Sequence, residues 1–141
     1  IKIRIVNLDE KEKNTRMILN FGHTFGHAFE ATKNFSTKLN HGEAVLLGMM
    51  IASEFSSEKK ILPIKDLILI KKHYVNLNLP TNIGKYFYKR DINKIINFMK
   101  KDKKNFDKKI NLILLKKIGK TIKSNNSVTD DEIKKLFYLN F

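Results

Sequence analysis

Apolar positions along the chain recur mostly at helical spacing. In TRMILNFGHTFGHAFEA, residues 15–31, Met17, Ile18, Phe21, Phe25, Ala28 and Phe29 return every three or four residues, which predicts a helix with one buried side. From Gly42 to about Lys59 the run AVLLGMMIA is apolar nearly all round, the pattern of a helix buried on every face. Pro63 suits the first turn of a further helix over about 64–76, where its missing N–H is no loss. NLNLPTNIG reads as a loop, and Asp91 as the cap of a helix striped by Ile92, Ile95, Ile96 and Met99. KDKKNFDKK has the composition of a solvated turn, and KINLILLKKIGKTI that of a short strand or hairpin around Gly119. Thr129 followed three residues later by Glu132 is a capping box opening a terminal helix. The opening IKIRIVNLDEKE fits a strand by propensity and a helix by the spacing of Ile1, Ile5 and Leu8. The sum is a mainly α domain with a short β-hairpin near 109–123.

The polar side of the first helix changes the picture. On one continuous helix at roughly 100° per residue, Arg16, Asn20, His23 and His27 share an arc of about 60°, opposite the apolar stripe. A surface helix more often carries Lys and Glu there, so two imidazoles, an amide and an arginine together read as a site. Gly22 and Gly26 flank the apolar side and allow a second backbone to come close. Neutral imidazoles at i and i+4 can share one cation, although GHTFGH lacks the glutamate that HExxH supplies as general base. His41, just before Gly42, stands at the positive end of the next helix, which disfavours its imidazolium form. A neutral ring is the form a metal binds. His73, among lysines and a tyrosine, reads as surface or helix packing.

Composition narrows the classes. With 141 residues, 42% of them hydrophobic, the chain is one domain able to bury a core. Cysteine is absent, so disulfides and thiolate–metal chemistry are excluded and any metal is held by His and carboxylate oxygen. No apolar run approaches the ~18–20 residues that cross a bilayer, and no signal peptide is visible, so the expected setting is cytoplasmic and away from membranes. The chain starts inside what reads as an ordered segment, so the expectation is the C-terminal part of something longer. The formal net charge is +14, and only three of the 28 basic residues are Arg. Nucleic-acid contacts favour Arg and interleaved aromatics, so the lysines read as compositional bias. The competing reading is a basic nucleic-acid-binding helical module with structural histidines, marked by steep salt dependence of binding.

RMILNFGHTFGHAFE followed by LNHGEAVLLGMM resembles the C-terminal domain of the 3-dehydroquinate synthase family, whose pattern is R-x-x-LNFGH-[TS]-x-GHA-x-E and then HGEAVA-x-GM. The likeness continues in KIRIVNLDEKE, the LP turn, the DKKN segment and LLKKIGK, and so spans nearly the whole chain. The resemblance implies the dehydroquinate synthase-like fold, with residues 1–141 as the helical metal- and substrate-binding domain. It implies an NAD-dependent lyase of the shikimate pathway, within the sugar phosphate cyclases, using Zn2+ or Co2+. Its substrate would be a seven-carbon phosphorylated keto acid, cyclised to 3-dehydroquinate with loss of phosphate. Carried over residue by residue, His23 and His41 become metal ligands and His27 a substrate-contacting catalytic histidine. Arg16, Asn20, Lys2 and Lys103 become substrate contacts. The third ligand, a Glu, and the NAD-binding α/β domain would lie upstream, since no GxGxxG occurs here. A homodimer is the implied assembly, and another sugar phosphate cyclase is the neighbouring possibility. Phe29 stands where the family usually has a smaller aliphatic residue, which implies a difference in packing.

Overall fold

The structure, a computed structural model, describes residues 15–101, 110–124 and 128–141. A 3-10 turn, Thr15–Asn20, leads into helix α1, His23–Thr32, and then α2, His41–Glu58. Helix α3 spans Ile64–Asn76 and α4 Ile92–Lys101, followed by strands β1, Ile113–Lys117, and β2, Lys120–Lys123, and by α5, Asp130–Asn140. The mainly helical domain with one hairpin is therefore as expected. The strands pair antiparallel around Gly119, whose φ of +81° suits a residue without Cβ.

One expectation is overturned. Residues 15–31 do not form a continuous helix. Gly22 adopts φ +80° in the left-handed region and becomes the N-cap of α1, so the chain changes direction between Asn20 and His23. A Cβ at Gly22 would lie 2.6 Å from the backbone nitrogen of Met49, which reserves the position for glycine twice over. The arc joining Arg16 and Asn20 to the histidines therefore does not exist as one helical face, whereas His23 and His27 remain one turn apart on α1. A second correction is smaller. Asp91 does not cap α4; it ends a short 3-10 turn, Lys89–Asp91, and its carboxylate accepts the Tyr88 N–H at 2.9 Å.

Helix α2 is the central element, as its all-round apolar pattern predicts. Ala44, Leu47, Ile51, Ala52 and Phe55 lie in the main core with Phe25 and Phe29 from α1, Ile95 and Met99 from α4, and Phe137 from α5. Phe29 is fully buried, its ring centre 5.1 Å from that of Phe87 and 6.2 Å from that of Phe137. Each such aromatic pair adds about 0.5–1.5 kcal/mol beyond area burial. Ser56 joins helix to hairpin: its hydroxyl donates to the Ala52 carbonyl and accepts the Leu115 N–H at 2.9 Å. Glu54, pushed up by burial and held back by Lys71, ties α2 to α3 through a 2.5 Å ion pair. No helix among the described residues is long and apolar enough to cross a membrane.

The capping box of α5 is present: Glu132 N–H donates to Thr129 Oγ1 at 3.3 Å, and Thr129 N–H to Glu132 Oε2 at 2.9 Å. A hydrogen bond from Lys59, then one from the Thr129 backbone, hold the Glu132 carboxyl below its ordinary value. The stability this contributes is present above the unfolded carboxyl value of about 4.3 and is lost as pH falls through the lower folded one. Thr129→Ala is expected to cost about 1 kcal/mol near neutral pH. Urea unfolding at two pH values checks it: the Thr129 hydroxyl also donates to Glu132 Oε2 at 3.2 Å, and because that bond to the carboxylate weakens on protonation, the gap to wild type should narrow slightly in acid.

Candidate metal centre

Helices α1 and α2 run antiparallel in close contact, and the contact has a four-residue step along both. A Cβ at Gly22 would meet Met49, a Cβ at Gly26 would lie 3.1 Å from Val45 Cα, and Glu30 meets His41. Gly48 supplies the approach from the other side, since a Cβ there would overlap the Gly22 carbonyl oxygen. The anticipated role of Gly22 and Gly26 is thus observed, with Gly48 as their counterpart. The crossing carries the first turn of α2 to the polar side of α1.

Three imidazoles gather there. Ring centres are 5.6 Å apart for His23 and His27, 6.1 Å for His23 and His41, and 6.3 Å for His27 and His41. His27 and His41 are exposed and His23 is half-buried. His41 is the first residue of α2, directly after the N-cap Asn40. The cap is a box: Glu43 N–H donates to Asn40 Oδ1 at 2.9 Å and Asn40 N–H to Glu43 Oε2 at 3.1 Å. His41 therefore leaves a fixed backbone at the positive helix end.

Hydrogen bonds define the ring nitrogens. His23 Nδ1 lies 3.3 Å from the Phe21 carbonyl oxygen, and His41 Nδ1 lies 3.1 Å from Glu30 Oε2. A carbonyl only accepts, and so does an ionised carboxylate, so in the neutral rings Nδ1–H donates and Nε2 carries the lone pair. That is the tautomer in which an imidazole ligates a metal through Nε2 with an oxygen acceptor behind it. Two rings sharing a tetrahedral Zn2+ through bonds of about 2.0–2.1 Å have centres roughly 5 Å apart, and the three spacings here, 5.6–6.3 Å, are somewhat wider without singling out one pair. The donor set therefore fits a divalent cation. Among the described residues no three His, Asp or Glu side chains make a complete metal cage.

Of the other expected site residues, Asn20 ends the 3-10 turn and is half-buried. Arg16 belongs to the same turn, but its side chain, like Lys2 and Lys103, lies outside the described residues. His73 is exposed on α3, as expected. Glu30 carried no assigned role in the sequence reading. Its signal was present, since it follows His23 by seven residues and His27 by three, on the same face of α1.

The family pattern described as 3-dehydroquinate synthase C-terminal matches residues 1–105. A 3-dehydroquinate synthase of Pelagibacter ubique (strain HTCC1062) is 57% identical over 122 residues, covering 86% of this chain and 33% of that protein. The 3-dehydroquinate synthase of Rhodopseudomonas palustris (strain TIE-1) is 39% identical over 129 residues, 88% of this chain and 34% of that protein. The chain thus spans about a third of the length of the curated relatives it matches. Among solved structures, 2-deoxy-scyllo-inosose synthase complexed with carbaglucose-6-phosphate, NAD+ and Co2+ aligns with a TM-score of 0.75 at 26% identity, over 99% of this chain and 38% of that one. The fold is also that of 2-epi-5-epi-valiolone synthase from Streptomyces hygroscopicus subsp. jinggangensis 5008 with NAD+ and Zn2+ bound, at a TM-score of 0.80 and 22% identity, over 97% of this chain and 36% of that one. With its family pattern matched over residues 1–105 and its histidines drawn together at the α1–α2 crossing, the chain belongs to the 3-dehydroquinate synthase C-terminal family.

Proposed function

We propose that this domain is the metal- and substrate-binding part of a 3-dehydroquinate synthase, a lyase that converts 3-deoxy-D-arabino-heptulosonate 7-phosphate to 3-dehydroquinate with loss of phosphate. The observation that carries the reading is the convergence of His23, His27 and His41 within 5.6–6.3 Å of one another. It draws further support from relatives that are themselves named 3-dehydroquinate synthase.

In this reading His23 and His41 hold a divalent ion, Zn2+ or Co2+, through their Nε2 atoms, and a Glu from an upstream domain completes the set. A bound ion of this kind lowers the pKa of a coordinated hydroxyl and so eases its oxidation. His27, one turn from His23 and open to solvent, holds or moves the hydroxyl proton at a ring nitrogen. Asn20 hydrogen-bonds a substrate hydroxyl. Arg16, Lys2 and Lys103 neutralise the carboxylate and phosphate, for which a guanidinium fork and ammonium groups are suited. NAD, held by the upstream domain, would supply reversible hydride transfer, and the net change would be a cyclisation.

A second reading, another sugar phosphate cyclase, is favoured by the likeness to 2-deoxy-scyllo-inosose synthase. One assay separates the two. The complete enzyme should release phosphate from the heptulosonate 7-phosphate when NAD and zinc are present, stop when a chelator is added and recover with fresh zinc. The 141-residue chain alone should bind zinc weakly and release none. Preference for a hexose 6-phosphate would move the assignment to the second reading, and release unaffected by chelation would end both.

A further inference from the structure

We propose that Glu30 is a positioning residue for His41: its carboxylate fixes the ring so that Nε2 is the nitrogen presented to the ion. The inference rests on the reading of His41 as a ligand. Glu30 Oε2 lies 3.1 Å from His41 Nδ1, the two residues belong to different helices, and the Glu30 side chain is only 15% exposed against 62% for His41. The carboxylate is thus the buried member of the pair and the imidazole the exposed one.

The antiparallel crossing explains the arrangement. Along α1, Gly22, Gly26 and Glu30 are one turn apart, and along α2 so are Met49, Val45 and His41. The first two steps are backbone approaches that admit no Cβ on the α1 side without displacement. At the third step the helix pair accommodates long side chains, and glutamate and histidine bridge it. The separation of α1 from α2, set by the glycines, therefore sets where the Glu30 carboxylate meets the His41 ring.

A purely structural role is the competing explanation. As a polar contact with a largely exposed partner, Glu30–His41 is worth roughly 0–1 kcal/mol to folding. A carboxylate behind a ligating imidazole typically changes metal affinity by about 10–100-fold when removed. The two explanations separate on metal affinity and not on stability.

Zinc affinity of the complete enzyme is measured by competition with a chromophoric chelator, alongside the thermal midpoint of the metal-free protein. Glu30→Ala is expected to weaken zinc binding by about 10–100-fold with little change in midpoint. Glu30→Gln keeps an oxygen acceptor of the same size without the charge and should lose less than the alanine variant, about tenfold. Wild-type affinity in Glu30→Ala, or in Glu30→Gln should the alanine variant not fold, overturns the inference. His41→Ala is the reference. If it leaves zinc affinity unchanged, the ligand reading itself fails and the inference falls with it; a loss in His41→Ala without one in the Glu30 variants removes only the positioning role.

Discussion

Replacing His41 by alanine in the complete enzyme is expected to lower kcat/KM by at least about 1,000-fold, about 4 kcal/mol of transition-state stabilisation at 1.36 kcal/mol per decade. The reasoning joins two observations that pull in different directions. The His41 side chain is 62% exposed and takes no part in the Asn40–Glu43 capping box beside it, so its removal takes little from the core or the cap, and such an exposed substitution usually moves stability by no more than about 0.5 kcal/mol. Yet the ring stands 6.1 Å from His23 with an acceptor behind its Nδ1, an arrangement that has no value to folding commensurate with its order. Activity and stability should therefore part company. Steady-state phosphate release and thermal unfolding of the same preparations check this. His73→Ala is the control: also an exposed histidine, but on α3 and away from the cluster, it should leave both readouts unchanged. Equal losses from the two variants, or unfolding of His41→Ala, would remove the metal centre from the account.

How much of this was legible beforehand depends on the range over which each feature is decided. Local features were readable. The capping box at Thr129 and Glu132 is a matter of four residues, and the hairpin follows from one glycine between apolar runs. The buried α2 follows from apolarity on all sides. The break at Gly22 was not readable, because the spacing on either side of it is compatible with an unbroken helix. Arg16, Asn20, His23 and His27 sit at i, i+4, i+7 and i+11, so a helical wheel draws them into one stripe whether or not the chain turns between them. Only the packing of Met49 against Gly22 decides it. The same limit hid Glu30. Its face on α1 could be read, but its partner depends on the register of α1 against α2, and a helix that is apolar all round gives no sign of its rotational setting. His23 and His41 were matched to metal binding by resemblance to a family motif. The structure adds what motif matching does not contain, the ring spacing and the acceptors behind each Nδ1.

That register makes Gly48 the position where the smallest change should do the most damage to the fold. Gly48→Ala adds one methyl group inside α2. Helix propensity alone favours the change by up to about 1 kcal/mol. Against it, the new Cβ would overlap the Gly22 carbonyl oxygen and lie 2.9 Å from the Gly26 nitrogen. Both are backbone atoms, so no rotamer change relieves the clash and α1 must move away from α2. Overpacking typically costs about 1–3 kcal/mol and occasionally more; two clashes with backbone atoms put this case at or above the upper end, so after the propensity gain the net expectation is a loss of about 2–3 kcal/mol. For a chain of this size that is a fall in thermal midpoint of about 10 °C. Gly42→Ala is the matched control on the same helix, since a Cβ there meets only Asn40 Oδ1 at 3.4 Å and should be neutral or mildly stabilising. Separation of the two helices would also draw His41 away from Glu30 and His23, so zinc affinity should fall in Gly48→Ala even at temperatures where the protein stays folded. Calorimetry gives the first quantity and chelator competition the second. A Gly48→Ala protein as stable as wild type would mean that the close crossing is not what holds the histidines together.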